Sequence, residues 1–257
     1  MKLTIIGAGN MGGAIARGLA QGSIVSASDI TVADPYTPGL EALKAFCPEM
    51  NVTTDNQEAI KDADIVIVAV RPRLIDKILG GIHLNSRQVL VSIAGGVTFE
   101  QIEKSVGPKQ TVFRLIINTA ISQLESMTLI AGRNASKEQE QAILDIFNEL
   151  GTAMLIPENL IQATTALTSC GIAYALKYIQ ASMQAGIELG ISPKEAQKMV
   201  AQSVRGAASL ILNTDTHPSV EIDKVCTPGG MTIKGINALD HQGFTSAVIN
   251  AMKACLQ

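Results

Sequence analysis

The chain has no tryptophan, and aromatic residues make up only 3% of its 257 residues. The interior must therefore be filled by Ala, Ile, Leu, Val and Met, within a hydrophobic fraction of 47%. That fraction supports a substantial core, in one large domain or two modest ones. A basic cluster is missing too: 20 Lys and Arg stand against 23 Asp and Glu, for a formal net charge of −3. Nucleic acid and anionic membranes are thereby excluded as partners. No apolar run reaches the length of a membrane span. Cys47, Cys170, Cys226 and Cys255 lie far apart and form no CxxC, and His83, His217 and His241 are isolated. No metal site is expected. The scattered thiols read as small buried hydrophobes in a reducing, cytoplasmic setting. No internal repeat or low-complexity segment is visible.

What is present is organised around residues 3–20, LTIIGAGNMGGAIARGLA. Leu3, Ile5 and Ile6 form the apolar run of a buried parallel strand, which reads as structure rather than as a signal peptide. Gly7-Ala8-Gly9-Asn10-Met11-Gly12 follows at once, and then Met11, Ile15 and Leu19 recur at helical spacing. In a strand–turn–helix of this kind Gly7 makes the tight turn, Gly9 lets a pyrophosphate approach the backbone, and Gly12 lets the helix pack against the strand. The helix start offers free N–H groups and a positive dipole end to the anion. A glycine-rich turn alone is weak evidence, and a purely structural turn is the alternative. Its place between a strand and a helix makes it a dinucleotide motif.

Residues 29–34, DITVAD, read as a second strand ending in Asp34, roughly 20 residues beyond Gly12, where an acid bonds the ribose hydroxyls of the cofactor and repels a 2′-phosphate. The following Pro35-Tyr36-Thr37-Pro38 brings no cation to hold such a phosphate. The pattern points to NADH over NADPH, with a plain strand-end cap as the other reading of Asp34. Further strands are expected at 52–54, 63–70, 88–93, 110–117, 127–131 and 153–156, with helices between them, the clearest at 137–150. Strands alternating with helices give a doubly wound, Rossmann-type α/β domain over residues 1–157. From 158 to 257 no strand-like run remains. Residues 160–189 are one long apolar stretch ended by Gly190, Ser192 caps a helix that Pro193 opens, and Gly206 marks a close helix crossing within it. This all-helical domain carries more apolar surface than it can cover alone, so a partner subunit is expected on it.

One other glycine turn opens a helix, Thr227-Pro228-Gly229-Gly230-Met231-Thr232. Outward N–H groups in such a turn form a nest for a carboxylate, with the hydroxyls of Thr227 and Thr232 beside it. A helix start with no ligand has the same pattern. None of these groups titrates, so the turn binds and orients, which is what hydride transfer asks of a protein.

Over nearly its whole length the chain resembles the pyrroline-5-carboxylate reductases. The resemblance is carried by Gly7-Ala8-Gly9-Asn10-Met11-Gly12, by Ala69-Val70-Arg71-Pro72, by Ser92-Ile93-Ala94-Gly95-Gly96-Val97, by Arg114 with Asn118-Thr119, by Ala173-Tyr174, and above all by DKVCTPGGMTIKGINAL at 223–239 with His217-Pro218 upstream. It implies hydride transfer from NADH or NADPH to the ring imine of 1-pyrroline-5-carboxylate, giving L-proline. It implies a cofactor along Gly7, Ala8, Gly9, Asn10, Met11, Gly12, Asp34, Asn56, Ala69, Val70, Arg71, Pro72, Ala94 and Gly95, with Asn118 near the nicotinamide. It implies a substrate carboxylate on Gly229, Gly230, Met231 and Thr232 with help from Thr227, a catalytic Thr232 hydroxyl on the ring nitrogen, and a helical domain that interlocks into homodimers or larger assemblies.

The chain departs from that family's pattern at Ile117, Ala120 and Ile172, where prolines are usual, at Thr227 for serine, at Arg71 for lysine and at Asp215 for glutamate. The lost prolines motivate a second reading, a non-catalytic dinucleotide-binding paralogue, against which the intact nest stands. A third reading, a β-hydroxyacid dehydrogenase, asks for a glycine separated by three residues from a lysine, and an asparagine four after that lysine. Gly171, Lys177 and Ala181 do not meet that spacing.

Overall fold

The protein is seen in a computed structural model that describes residues 1–256. It divides into two compact units, Met1–Ser169 and Cys170–Gln257.

The first unit is built on one eight-stranded sheet. Its strands are β1 (Leu3–Ile6), β2 (Ile30–Ala33), β3 (Asn51–Thr53), β4 (Ile65–Val68), β5 (Val89–Ser92), β6 (Thr111–Ile116), β7 (Ser126–Arg133) and β8 (Gly151–Leu155), in the order β3-β2-β1-β4-β5-β6-β7-β8. The first six are parallel, in the dinucleotide-binding order 3-2-1-4-5-6. The sequence pattern does not show that β7 runs antiparallel to β6. The physical reason is the connection: only a 3₁₀ turn at Thr119–Gln123 lies between them, too short for a crossover helix.

Side-chain alternation sorts the core into two layers. Leu3, Ile5, Ile65, Ile67, Val89, Val91, Phe113 and Leu115 face one side, against α1 (Asn10–Ala20), α2 (Thr37–Phe46) and α6 (Lys137–Asn148). Ile6, Val66, Val68, Leu90, Val112 and Ile116 face the other, against α3 (Asn56–Ile60), α4 (Ile75–Gly80), α5 (Phe99–Val106) and α7 (Ile161–Thr164). Both faces of the central strands are thus buried, which explains their unbroken apolar runs.

Residues beyond 157 still pack on this unit, because Ile161 belongs to the second layer and the Ser169 hydroxyl donates to the Ile117 carbonyl at 3.2 Å. The apolar stretch at 160–189 is not one regular helix. A 3₁₀ turn, α7 and a π-helical stretch at Thr165–Cys170 precede α8 (Gly171–Glu188). Threonine chemistry accounts for the interruption. Thr164, Thr165 and Thr168 donate back to the carbonyls of Leu160, Ile161 and Thr164 at 2.6–2.9 Å, which competes with the regular backbone ladder.

The second unit is helical: α8, α9 (Pro193–Thr214), α10 (Pro218–Val225), α11 (Met231–His241) and α12 (Phe244–Ala254). Ser192 caps α9 by accepting from the Glu195 N–H. The crossing of α8 on α9 falls at Gly186, where an added Cβ would stand 3.3 Å from the Ala196 Cβ, and not at Gly206, which has nothing within 4 Å. Gly206 sits on a helix face left bare in the single chain. Among the described residues of this unit Ala196 alone is fully buried. Leu189 and Leu212 are 82% and 81% exposed. The cysteines are also less buried than expected. Cys47, Cys170 and Cys226 are half-buried, and Cys255, just past the end of α12, is exposed. Among the described residues no helix is long and apolar enough to cross a membrane.

Candidate active site

The residues expected to hold a dinucleotide all follow the carboxyl ends of strands: 7–12 after β1, Asp34 after β2, Asn56 after β3, Ala69, Val70, Arg71 and Pro72 after β4, Ala94 and Gly95 after β5, and Asn118 after β6. Parallel sheets bind ligands at this edge. A cleft of about 440 Å³ lies there, lined by Gly9, Asn10, Met11, Ala69, Val70, Arg71 and Ile93. Ile93 is a lining residue that the motifs do not single out, because an apolar wall carries no signature.

Gly7 and Gly12 take the backbone roles that the sequence implies. Gly7 has φ +108°, and an added Cβ there would stand 2.5 Å from the Ala69 carbonyl. A Cβ on Gly12 would collide with the Gly7 carbonyl, which fixes the helix close to the turn. Gly9, at the N-cap of α1, has nothing within 4 Å of its would-be Cβ and no side-chain cap. The backbone is open there, and the N–H groups of Asn10 and Met11 have no acceptor among the described residues.

Two groups depart from the expected arrangement. The Ala8 N–H is not free for a phosphate, because it donates to Asp34 Oδ2 at 2.7 Å. Asp34 Oδ1 accepts from the Tyr36 N–H at 2.8 Å. Asp34 therefore clasps the glycine turn, with each oxygen keeping a lone pair for a further donor. Asn118 is buried, its Oδ1 accepts from the Ala120 N–H at 3.0 Å, and its Nδ2 donates to the Thr168 carbonyl at 3.4 Å. Its amide caps the turn after β6 and ties it to the π-helical stretch, so the side chain is spent inside the unit and shapes the edge from within.

Asn56 is placed otherwise. It opens α3, beside a β3 end whose Thr53 carbonyl accepts from the Asp34 N–H, and its Oδ1 is buried without a partner. An orphaned acceptor of this kind costs about 1–3 kcal/mol. A hydroxyl donor from a bound ribose would satisfy it. With the open backbone at Gly9, this shows that the edge fits a dinucleotide.

Against α5 on one face of the sheet lies a charge network whose partners are too far apart in sequence to be read as a motif. Arg114 on β6 pairs with Glu158 at 2.9 Å, and Arg133 on β7 pairs with Glu158 at 2.7 Å, Glu100 at 2.9 Å and Glu103 at 3.2 Å. The guanidinium carbons lie 5.3 and 4.5 Å from the Phe99 ring centroid. Burial pulls the Arg114 guanidinium below its usual pKa, against the charge of Glu158. Burial also acts to lower Arg133, but its hydrogen bonds to Glu100 and Glu103 and the charge of Glu158 outweigh it.

In the helical unit, Thr227-Pro228-Gly229-Gly230 forms a β-turn closed by the Gly230 N–H on the Thr227 carbonyl at 3.0 Å. Proline at the second position and Gly229 at φ +71° in the third make the type II pattern. The Gly230 amide is thus consumed by the turn and is not a free donor of the nest. Gly230 is the N-cap of α11 and has no side-chain cap, which leaves the Met231 and Thr232 N–H groups without an acceptor among the described residues. Met231 is 90% exposed, and the Thr232 hydroxyl has no partner among those residues. Thr227 Oγ1 lies close over Gly230.

A 3-2-1-4-5-6 sheet with an open glycine turn at its ligand-binding edge, on a chain that continues into a helical unit, defines a nicotinamide-dinucleotide oxidoreductase. Comparison with known proteins narrows this. Residues 158–257 match the family model for pyrroline-5-carboxylate reductase dimerisation, and residues 2–96 match one for NADP oxidoreductase, coenzyme F420-dependent. Pyrroline-5-carboxylate reductase of Methanosarcina acetivorans is 35% identical over 98% of this chain and 94% of its own length. Pyrroline-5-carboxylate reductase 1 of Dictyostelium discoideum is 34% identical, with this chain spanning about half (48%) of its length. Among solved structures, the enzyme of Coxiella burnetii superposes with a TM-score of 0.92 at 28% identity, covering 99% of this chain and 95% of that one. The Plasmodium falciparum pyrroline carboxylate reductase with NADP bound gives 0.88 at 27% identity, with the same coverages. The chain belongs to the pyrroline-5-carboxylate reductase family.

Proposed function

We propose that this chain reduces 1-pyrroline-5-carboxylate to L-proline, using the helical-unit nest for the substrate and the sheet edge for the cofactor. The observation that carries the reading is the type II turn at Thr227, which leaves the first amides of α11 uncapped and sets two hydroxyls beside them. The substrate carboxylate is held by the Met231 and Thr232 amides and the Thr227 hydroxyl. Gly229 and Gly230 contribute the turn itself. The Thr232 hydroxyl bonds the ring nitrogen and helps deliver its proton, with water as the source. A bound NADH or NADPH supplies the hydride to the imine carbon. Asn10, Met11 and the open backbone at Gly9 hold its pyrophosphate, Arg71 and Val70 wall the cleft, and Asn56 accepts from a ribose hydroxyl. Asp34, in place to read the adenosine ribose, favours NADH: its carboxylate accepts from a hydroxyl and repels a 2′-phosphate.

The protein acts as a homodimer in the cytoplasm. An 88-residue helical unit with one buried residue among those described lacks the core to repay its own ordering, and a second copy on α8 and α9 supplies it. Oxidation of NADH, and separately of NADPH, by the purified protein with pyrroline-5-carboxylate tests the reading. Proline formed in step with cofactor consumed supports it. Cofactor binding without turnover would replace it with the non-catalytic paralogue.

A further inference from the structure

The four cysteines are not equivalent. Cys170 and Tyr174 are one helical turn apart and share a face at the start of α8, and Ala251 and Cys255 share a face at the end of α12 in the same way. The two faces meet. The Tyr174 hydroxyl lies 2.8 Å from Cys255 Sγ and donates to the Ala251 carbonyl at 3.2 Å. Tyr174, which reaches Cys255 Sγ, stands one helical turn from Cys170, and the Cys255 thiol is among the causes that raise the Cys170 thiol pKa. Cys255 is exposed and Cys170 half-buried. No other part of the site uses either thiol, and nothing in the proposed reaction needs them.

We propose that Cys170 and Cys255 form a modification site, a thiol pair that a low-molecular-weight disulfide converts to a reversible cross-link between the start of α8 and the end of α12. The exposed Cys255 thiolate attacks one sulfur of the reagent disulfide. A protein–reagent mixed disulfide forms, the reagent S–S bond breaks, and one reagent thiol leaves. Cys170 then attacks Cys255 Sγ, the Cys170–Cys255 bond forms, and the second reagent thiol leaves with the remaining proton. Two protein thiols are oxidised and one reagent disulfide is reduced. The order of attack follows from placement, since burial and the Cys255 thiol raise the Cys170 thiol pKa and make it the resolving partner.

The test uses the intact protein and glutathione disulfide at neutral pH, followed by alkylation and peptide mass mapping. Cys47 and Cys226 should be alkylated, while Cys170 and Cys255 appear in one linked peptide pair that dithiothreitol dissolves. In Cys170→Ser the reaction should stop at a glutathione adduct on Cys255. In Cys255→Ser the Cys170 thiol should stay alkylatable. A wild-type map in which Cys170 and Cys255 both remain alkylatable, or carry separate adducts, overturns the proposal without use of either variant. The assay reads thiols and not turnover, so its failure is separate from failure of the proposed reductase activity.

Discussion

A Cβ added at Gly230 would stand 2.5 Å from Thr227 Oγ1 and 3.0 Å from the Thr227 carbonyl oxygen. Gly230 itself has φ −68°, so alanine adds no backbone strain. Thr227 is exposed and its side chain can rotate away, which relieves the shorter contact, while the carbonyl contact asks for a shift of a few tenths of an ångström in an exposed turn. The rotation removes the hydroxyl from the nest. A hydroxyl bonded to a carboxylate is worth about 1.5–3 kcal/mol, or roughly 10- to 100-fold in kcat/KM. Gly230→Ala should therefore raise the KM for the imine by about that factor, with the melting temperature and the KM for the cofactor nearly unchanged. Thr227→Ala removes the same hydroxyl directly and should cost about the same. The informative assay is the double-mutant cycle in steady-state NADH oxidation. With Oγ1 absent, the alanine at 230 has lost its main obstacle, and the double variant should be little worse than Thr227→Ala alone. Independent sites add to within about 0.5 kcal/mol. Additive losses in the cycle would refute the idea that Gly230 acts through Thr227.

Thr232→Ala should lower kcat about 10- to 100-fold while NADH binding by fluorescence titration stays intact, since a hydroxyl on the reacting nitrogen is worth about 1–3 kcal/mol. Asp34→Ser should raise the NADPH-to-NADH ratio of kcat/KM about tenfold and weaken both cofactors, because the clasp on the Ala8 N–H goes with the charge. An unchanged ratio would show that the acid does not read the ribose. Glu158→Gln leaves Arg114 and Arg133 short of a counter-charge. Arg114 is nearly enclosed and Glu158 is a third exposed, so the loss should fall between the exposed and buried limits, about 1–3 kcal/mol by urea unfolding. A loss indistinguishable from zero would mean that Glu100 and Glu103 suffice.

Much of this molecule is local and therefore legible. The run from Leu3 to Gly12 specifies strand, turn and helix within ten residues because each glycine answers to a neighbour nearby in the chain or to the adjacent strand. Thr-Pro-Gly-Gly encodes a type II turn because proline and glycine each set a φ. The alternation along β4 and β5 needs only the period of two. What escapes is pairing at long range. Nothing near Asp34 announces that its carboxylate holds the Ala8 amide, nor does anything near Asn118 announce that its side chain is committed to Thr168. Both residues were expected along the sheet edge, but the atoms they have left to offer follow from tertiary contacts.

The helical unit shows the same division from the other side. Its sequence reads as too apolar for its size, and that excess is a statement about missing surface, not about any one contact. The structure turns it into geometry. Alpha-helical packing within the unit is concentrated where Gly186 meets Ala196, small residue against small residue, while Leu189 and Leu212 stay bare. Close approach at one crossing, with large side chains left outside, suits a unit whose core forms between copies. The unit's few broad rings, Tyr174, Tyr178 and Phe244, do not fill that gap from within, since Tyr178 and Phe244 themselves stay exposed. The scarcity of aromatics noted first in the composition and the match of residues 158–257 to a dimerisation model point to the same missing volume.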